Sequence, residues 1–141
     1  MKPVQTVLMI DDDVDDQEIF REVLYEIDPL IICLQPLNAK LALSLLLEDN
    51  RRPDVIFLDI NMPIMNGFEF LEEMMMHERL TSIPVVMYSS STHHVQQEKA
   101  KMLGASDFIT KPSDLNLLKA TLETVVLADT GFKFSPIFGE S

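Results

Sequence analysis

Acidic residues follow short apolar runs at two places in the chain, and a lysine follows a third run. The first run, residues 7–10, is followed by an acidic cluster: Asp11, Asp12, Asp13, Asp15 and Asp16. Asp59 follows residues 55–58, and Lys111 follows residues 108–110. Two carboxylates ~4 Å apart repel by about 4 kcal/mol at an effective dielectric of 20. Such a group takes up a proton or binds a cation.

The polar residues that follow these runs fit a magnesium ion and a phosphoryl group. A few carboxylates, completed by water and phosphoryl oxygens, suit Mg²⁺ better than Ca²⁺, which takes a fuller set of oxygen ligands. Lys111 and a serine among Ser89, Ser90 and Ser91 could bind phosphoryl oxygens. For Asp13, Asp15 and Asp16 the sequence favours a solvated helix start instead, because acids stabilise helix N-termini.

Two other interpretations of the acids fit less well. A calcium loop would use Asp11, Asp13, Asp15 and Glu22, but its sixth position is Asp16, where the turn needs glycine. Phosphatases of the haloacid dehalogenase type carry the pattern D-x-D after a strand, and the second Asp of that pattern serves as the general acid. After Asp59 the second position is Asn61, which cannot act as a general acid.

Alternating patterns along the chain predict the elements that carry these residues. Continuous apolar runs, typical of strands buried on both faces, occupy residues 7–10, 30–34, 55–58, 85–88 and 108–110. Helical spacing of apolar residues lies between and after the runs. In the weak fourth helix it predicts an inward face of Val95, Lys99, Met102 and Leu103, ended by Gly104. The pattern is (βα)5, an α/β fold with a parallel sheet, and its functional site is expected at the carboxyl ends of the strands.

Composition limits the classes of partner. The 141 residues carry a net charge of −12, which argues against nucleic acid and anionic membranes. The single cysteine, Cys33, excludes a disulfide within the chain. Because the sequence has neither a membrane-length apolar stretch nor a signal-peptide pattern, we expect a cytoplasmic protein.

Taken together, the motifs resemble those of the response-regulator receiver domains of two-component signalling. They are MIDD, FLDINMPIMNGFEFL, IPVVMYSSS and GASDFITKP, in the order and spacing of that family. The resemblance covers nearly the whole chain and implies a doubly wound, flavodoxin-like sheet with strand order 2-1-3-4-5. We expect a receiver domain over residues 1–128 and a C-terminal tail, residues 129–141, with no output domain after the fifth helix.

The resemblance assigns a role to each site residue. Asp59 would accept the phosphoryl group, and Asp11, Asp12, Asp59 and the backbone carbonyl of Asn61 would bind Mg²⁺. Lys111 would pair with the acceptor and then with the phosphate, and the Lys111–Pro112 bond is usually cis in the family. The switch residues would be Ser89 and Phe108, whose inward movement repacks the face formed by the fourth helix, fifth strand and fifth helix.

The family also implies the partners. A sensor histidine kinase or phosphotransfer protein would donate the phosphoryl group, and a downstream protein would read the switched face, with a homodimer left open. We expect a self-catalysed phosphoacceptor and not a turnover enzyme. The alternative is a degenerate receiver that serves as a constitutive interaction or dimerisation module. The aromatic residues of the tail, Phe132, Phe134 and Phe138, could pack on the domain or on a partner.

Overall fold

The computed structural model describes residues 4–48, 52–90 and 93–127. Within these ranges, five strands alternate with five α-helices, and one short 3-10 helix, Glu78–Leu80, precedes the fourth strand. The strands are β1 Thr6–Ile10, β2 Ile32–Leu34, β3 Val55–Leu58, β4 Val85–Ser89 and β5 Asp107–Thr110. The helices are α1 Val14–Ile27, α2 Ala39–Glu48, α3 Gly67–Met75, α4 His94–Met102 and α5 Leu115–Val126.

The strands form one parallel sheet in the order β2-β1-β3-β4-β5, which confirms the predicted fold and strand order. Side chains alternate between two cores, one on each face of the sheet. On one face, Phe57 and Tyr88 pack with Phe20 of α1 and with the inner side of α5. On the other, Leu58 and Phe108 pack with buried residues of α2, α3 and α4. The helices therefore cover both faces, as predicted.

The second strand differs from the prediction of a fully buried strand over residues 30–34. β2 contains only the last three of these residues, and none of them is buried. Ile32 is 50% exposed and Leu30, before the strand, is 86% exposed. The reason is the position of β2 at the edge of the sheet, where one side has no neighbouring strand.

The predicted inward face of the fourth helix is largely wrong. Val95 and Met102 are 79% and 84% exposed, and the buried residue of α4 is Ala100. The ammonium nitrogen of Lys99 lies 4.7 Å from the centroid of the Phe68 ring, so Lys99 contacts an aromatic face. Leu103 packs partly against the core as expected, and Gly104 follows it with a φ of 106°, a conformation that favours glycine.

Two predictions concern residues that lie partly or wholly outside the described ranges. The tail, residues 129–141, with Phe132, Phe134 and Phe138, is not described, and the boundary at residue 128 stays a prediction.

Within the residues described, no helix is both long and apolar enough to cross a membrane.

The loop from β3 to α3 contacts the backbone at the end of β3. The N–H of Gly67 donates to the carbonyl of Ile60 at 2.9 Å, and Asn66 caps α3 in a reciprocal capping box with Glu69. A Cβ at Gly67 would lie 2.3 Å from the carbonyl oxygen of Asp59. Any side chain there would therefore displace the backbone that carries Asp59.

Gly67→Ala is expected to destabilise the protein by about 3 kcal/mol or more, because the overlapping atom belongs to backbone that cannot rotate away. Glu72→Ala, at an exposed position of the same helix, serves as the control and is expected to change stability by less than about 0.5 kcal/mol. Urea unfolding measures both. Equal stability of Gly67→Ala and the wild type would contradict the close packing of this loop.

Candidate functional site

The acids, the lysine and a serine named in the sequence analysis meet at one edge of the sheet. Asp11 follows β1, Asp59 follows β3, Ser89 ends β4 and Lys111 follows β5. Since β1, β3, β4 and β5 are successive neighbours, their carboxyl ends lie side by side. Carboxylate oxygens of Asp11, Asp12 and Asp59 lie within 4.8 Å of one another.

Asp11 is buried, with 1% of its surface exposed, yet both its oxygens have partners. Oδ1 accepts the backbone N–H of Asp13 at 2.9 Å, and Oδ2 accepts the Lys111 ammonium at 2.8 Å. The side-chain amide of Gln17 donates to the carbonyl oxygen of Asp11. Asp12, by contrast, is exposed and lies at the mouth of the site.

Lys111 connects the fifth strand to the acidic cluster. Its ammonium nitrogen lies 2.8 Å from Asp11, 2.7 Å from Asp16 and 3.6 Å from Asp59. Its backbone N–H donates to the carbonyl of Ser89 at 2.7 Å, which ties the start of the β5–α5 loop to the end of β4. The lysine is therefore fixed at both its backbone and its charged end.

Asp16 was wrongly interpreted as a residue of a merely solvated helix start. It lies in the first turn of α1, where its backbone N–H donates to the side chain of the N-cap residue Asp13. Its carboxylate pairs with Lys111 across 95 residues of sequence. The interpretation does hold for Asp13 as a helix cap and for Asp15, which is exposed.

Burial and crowding change the acidity of the cluster. Burial, followed by the negative charge of Asp11, raises the pKa of Asp59 from 3.8 to about 6, although Lys111 opposes the shift. Burial also raises the pKa of Asp11, and the hydrogen bond from Lys111 limits the rise. Burial lowers the pKa of Lys111, but its hydrogen bonds to Asp11 and Asp16 outweigh that effect and the net change is upward. One lysine therefore does not fully offset the acids.

The donor set fits a hard divalent cation. Three carboxylates converge from two strand ends, two of them buried. The raised pKa of Asp59, caused by burial and then by the charge of Asp11, indicates that its ionised form is not fully compensated within the protein. Carboxylate oxygens with room for water are the ligands that Mg²⁺ prefers. Asn61 follows Asp59 by two residues and is exposed. That its backbone carbonyl binds the cation stays a prediction.

Both predicted switch residues are buried in this structure. Ser89 has 0% of its surface exposed and lies at the end of β4. Phe108 is also fully buried and belongs to the core that includes Ala100 of α4. The two residues lie on adjacent strands, with Ser89 opposite Thr110 and Met87 opposite Phe108. Their switching roles stay predictions.

The expectation of a cis bond before Pro112 is wrong for this structure, because no peptide bond among the described residues is cis. The trans isomer is the lower-energy form of most bonds that precede proline.

The raised pKa of Asp59 predicts a pH-dependent stability in the presence of a chelator. Between pH 3.8 and about 6 the folded protein binds more protons at this site than the unfolded chain does. The contribution of Asp59 to the free energy of unfolding therefore falls by about 3 kcal/mol as the pH rises through this window. Because Asp59→Asn cannot ionise, we expect it to be more stable than the wild type at pH 7, with the difference shrinking towards pH 4.

Urea unfolding at several pH values measures this difference. Asp15→Asn, which removes an exposed acid, is the control and is expected to show a much weaker dependence on pH. A stability difference between Asp59→Asn and the wild type that is constant from pH 4 to pH 7 would contradict the shifted pKa.

Comparison with known proteins identifies the family of this fold and site. The response regulator receiver domain model matches residues 7–123. A protein-glutamate methylesterase/protein-glutamine glutaminase from Burkholderia lata is 37% identical over 108 residues, which are 75% of this chain. The chain spans only 28% of the length of that relative.

Two solved structures match over nearly their full length. The chemotaxis protein CheY4 of Vibrio cholerae is 27% identical with a TM-score of 0.74, over 85% of this chain and 97% of that one. The phosphorylated cyanobacterial phytochrome response regulator RcpA is 25% identical with a TM-score of 0.80, over 89% of this chain and 95% of that one. The chain belongs to the response-regulator receiver domains of two-component signalling.

Proposed function

We propose that this receiver accepts a phosphoryl group on Asp59, from a phosphohistidine of a sensor kinase or phosphotransfer protein, in a Mg²⁺-dependent reaction. The observation that carries the proposal is the position of Asp59. It is 5% exposed, within 4.8 Å of Asp11 and Asp12, and has a lysine ammonium 3.6 Å away. The relative RcpA, known in a phosphorylated form, supports the same chemistry.

The protonation state of Asp59 suits a nucleophile. With a pKa of about 6, most of its carboxylate is ionised at neutral pH even before a cation binds. A carboxylate oxygen of Asp59 attacks phosphorus while the bond from phosphorus to the donor nitrogen breaks, and the electron pair leaves on the imidazole. The product is an acyl phosphate on Asp59, which water later hydrolyses.

The chain's own residues then stabilise the transferred charge. Phosphoryl transfer passes through a loose, anionic transition state, so the positioning of positive charge provides most of the catalysis. Asp11, Asp12, Asp59 and the carbonyl of Asn61 would hold Mg²⁺, which supplies positive charge to the phosphoryl oxygens when bound. Lys111 is within 3.6 Å of the acceptor and can donate to the same oxygens.

The output of this receiver would be a change of its protein-binding face. The Ser89 hydroxyl would donate a hydrogen bond to a phosphoryl oxygen, and Phe108 would repack beneath α4. α4 is suited to such repacking because its buried contact with the core is confined to Ala100. A local change of charge would thus bias a two-state element that a downstream protein reads.

Incubation with Mg²⁺ and a small phosphodonor such as acetyl phosphate tests the proposal. Intact-mass spectrometry is expected to show one added phosphoryl group that hydroxylamine removes, in the wild type and in the control Asp15→Asn. Asp59→Asn is expected to lose the modification, because the amide cannot replace the nucleophile. Undiminished labelling of Asp59→Asn would refute the assignment, and no labelling of the wild type would favour a constitutive interaction module.

A further inference from the structure

The ammonium group of Lys111 is shared unequally among three carboxylates. It lies at hydrogen-bond distance from Asp16, at 2.7 Å, and from Asp11, at 2.8 Å. Its distance to Asp59 is 3.6 Å, which is too long for a direct hydrogen bond. Two of its three N–H donors are therefore engaged by Asp11 and Asp16, and neither of them bonds to Asp59.

Of the two close partners of Lys111, only one belongs to the carboxylates that fit a cation. Asp11 belongs to the group of carboxylates that fits a cation, whereas Asp16 does not. Asp16 is held by the first turn of α1, where its N–H bonds to Asp13. Lys111 and Asp11 have side chains that are only 14% and 0% exposed, so the charges around them are weakly screened.

We propose that Asp16 is a positioning residue that acts through Lys111. It holds the ammonium group beyond hydrogen-bond distance of Asp59 and neutralises part of its charge, so that Asp59 stays available to a divalent cation. This inference rests on the proposed function of the Asp11–Asp12–Asp59 site. It gives Asp16, which lies outside the group of carboxylates that fits a cation, an effect on the affinity for the cation.

Without the charge of Asp16, the contacts of Lys111 would change in a way that lowers the affinity for the cation. Lys111 would then have Asp11 and Asp59 as its remaining carboxylate partners within 4 Å. A shift of less than 1 Å would bring its ammonium within hydrogen-bond distance of Asp59. The lysine, which already bonds to Asp11, would then also compete with the cation for Asp59.

A simpler explanation is that Asp16 only stabilises the start of α1, as acids do at helix N-termini. Asp15 lies in the same first turn and shares that effect. It is exposed, whereas Asp16 is half-buried against Lys111. The two neighbouring acids are therefore a matched pair that separates a general effect of charge from contact with the lysine.

Calorimetric titration of the unphosphorylated protein with MgCl₂ tests the proposal. Asp16→Asn keeps the size of the side chain and is expected to weaken Mg²⁺ binding by about fivefold, the upper range for one partly exposed charge pair. Asp15→Asn is expected to bind Mg²⁺ as the wild type does. Equal effects of the two substitutions, or none from either, would overturn the proposal.

A double-mutant cycle with Lys111→Met shows whether Asp16 acts through the lysine. In that background Asp16→Asn is expected to leave Mg²⁺ affinity unchanged, because the competing ammonium is gone. The same fivefold loss in both backgrounds would mean that Asp16 attracts the cation directly, and would overturn the proposal. Circular dichroism and thermal unfolding verify that each variant is folded.

Because these titrations involve no phosphodonor, they are independent of the labelling of Asp59. A wild type that binds Mg²⁺ but is never labelled contradicts the proposed function alone. A wild type that is labelled, while Asp16→Asn binds Mg²⁺ as tightly as Asp15→Asn does, contradicts the role of Asp16 alone.

Discussion

Electrostatic repulsion among buried carboxylates at one edge of the sheet is the constraint on which this receiver depends. Asp11 and Asp59 are almost fully buried, and Asp12 lies close to both. Lys111 brings one positive charge to this group and divides it with Asp16. Burial, together with the remaining negative charge, raises the pKa of Asp59 to about 6 and makes a divalent cation a favourable ligand. The site is therefore prepared for positive charge before any phosphoryl group arrives.

The fold supplies the precision that this arrangement needs. Parallel strands in the order β2-β1-β3-β4-β5 place the ends of β1, β3, β4 and β5 next to one another. The absence of a side chain at Gly67 lets the β3–α3 loop pack directly on the backbone of Asp59. The hydrogen bond from the backbone N–H of Lys111 to the carbonyl of Ser89 fixes the lysine at the other end of the site. Stability and the proposed reactivity are thus opposed at Asp59, where ionisation costs folding energy and would provide the nucleophile.

The sequence predicted best those elements whose residues are nearly all buried. Continuous apolar runs identified the central strands, since these are covered on both faces. The errors fall at β2 and α4, because the burial of an edge strand or a peripheral helix depends on its place in the sheet. No local pattern in the chain reveals that Ile32 is half-exposed or that Ala100 is the buried residue of α4.

The candidate site was predictable to the extent that it lies at strand ends. Asp11, Asp59 and Lys111 each follow an apolar run, so the rule for parallel sheets brings them together. Asp16 escaped notice because acids are common at helix starts and its partner is 95 residues away. The spacing within α1 places both Asp15 and Asp16 in the first turn after the cap residue Asp13, so it does not reveal which of the two meets Lys111.

The titration of the Asp59 carboxyl carbon, followed by ¹³C NMR with and without Mg²⁺, tests the central claim most directly. The account predicts a midpoint near pH 6 in the presence of a chelator, because burial and Asp11 disfavour the ionised form. It predicts a lower midpoint when Mg²⁺ is added, because the cation favours ionised ligands. A midpoint near the ordinary value of 3.8 that does not respond to Mg²⁺ would contradict it.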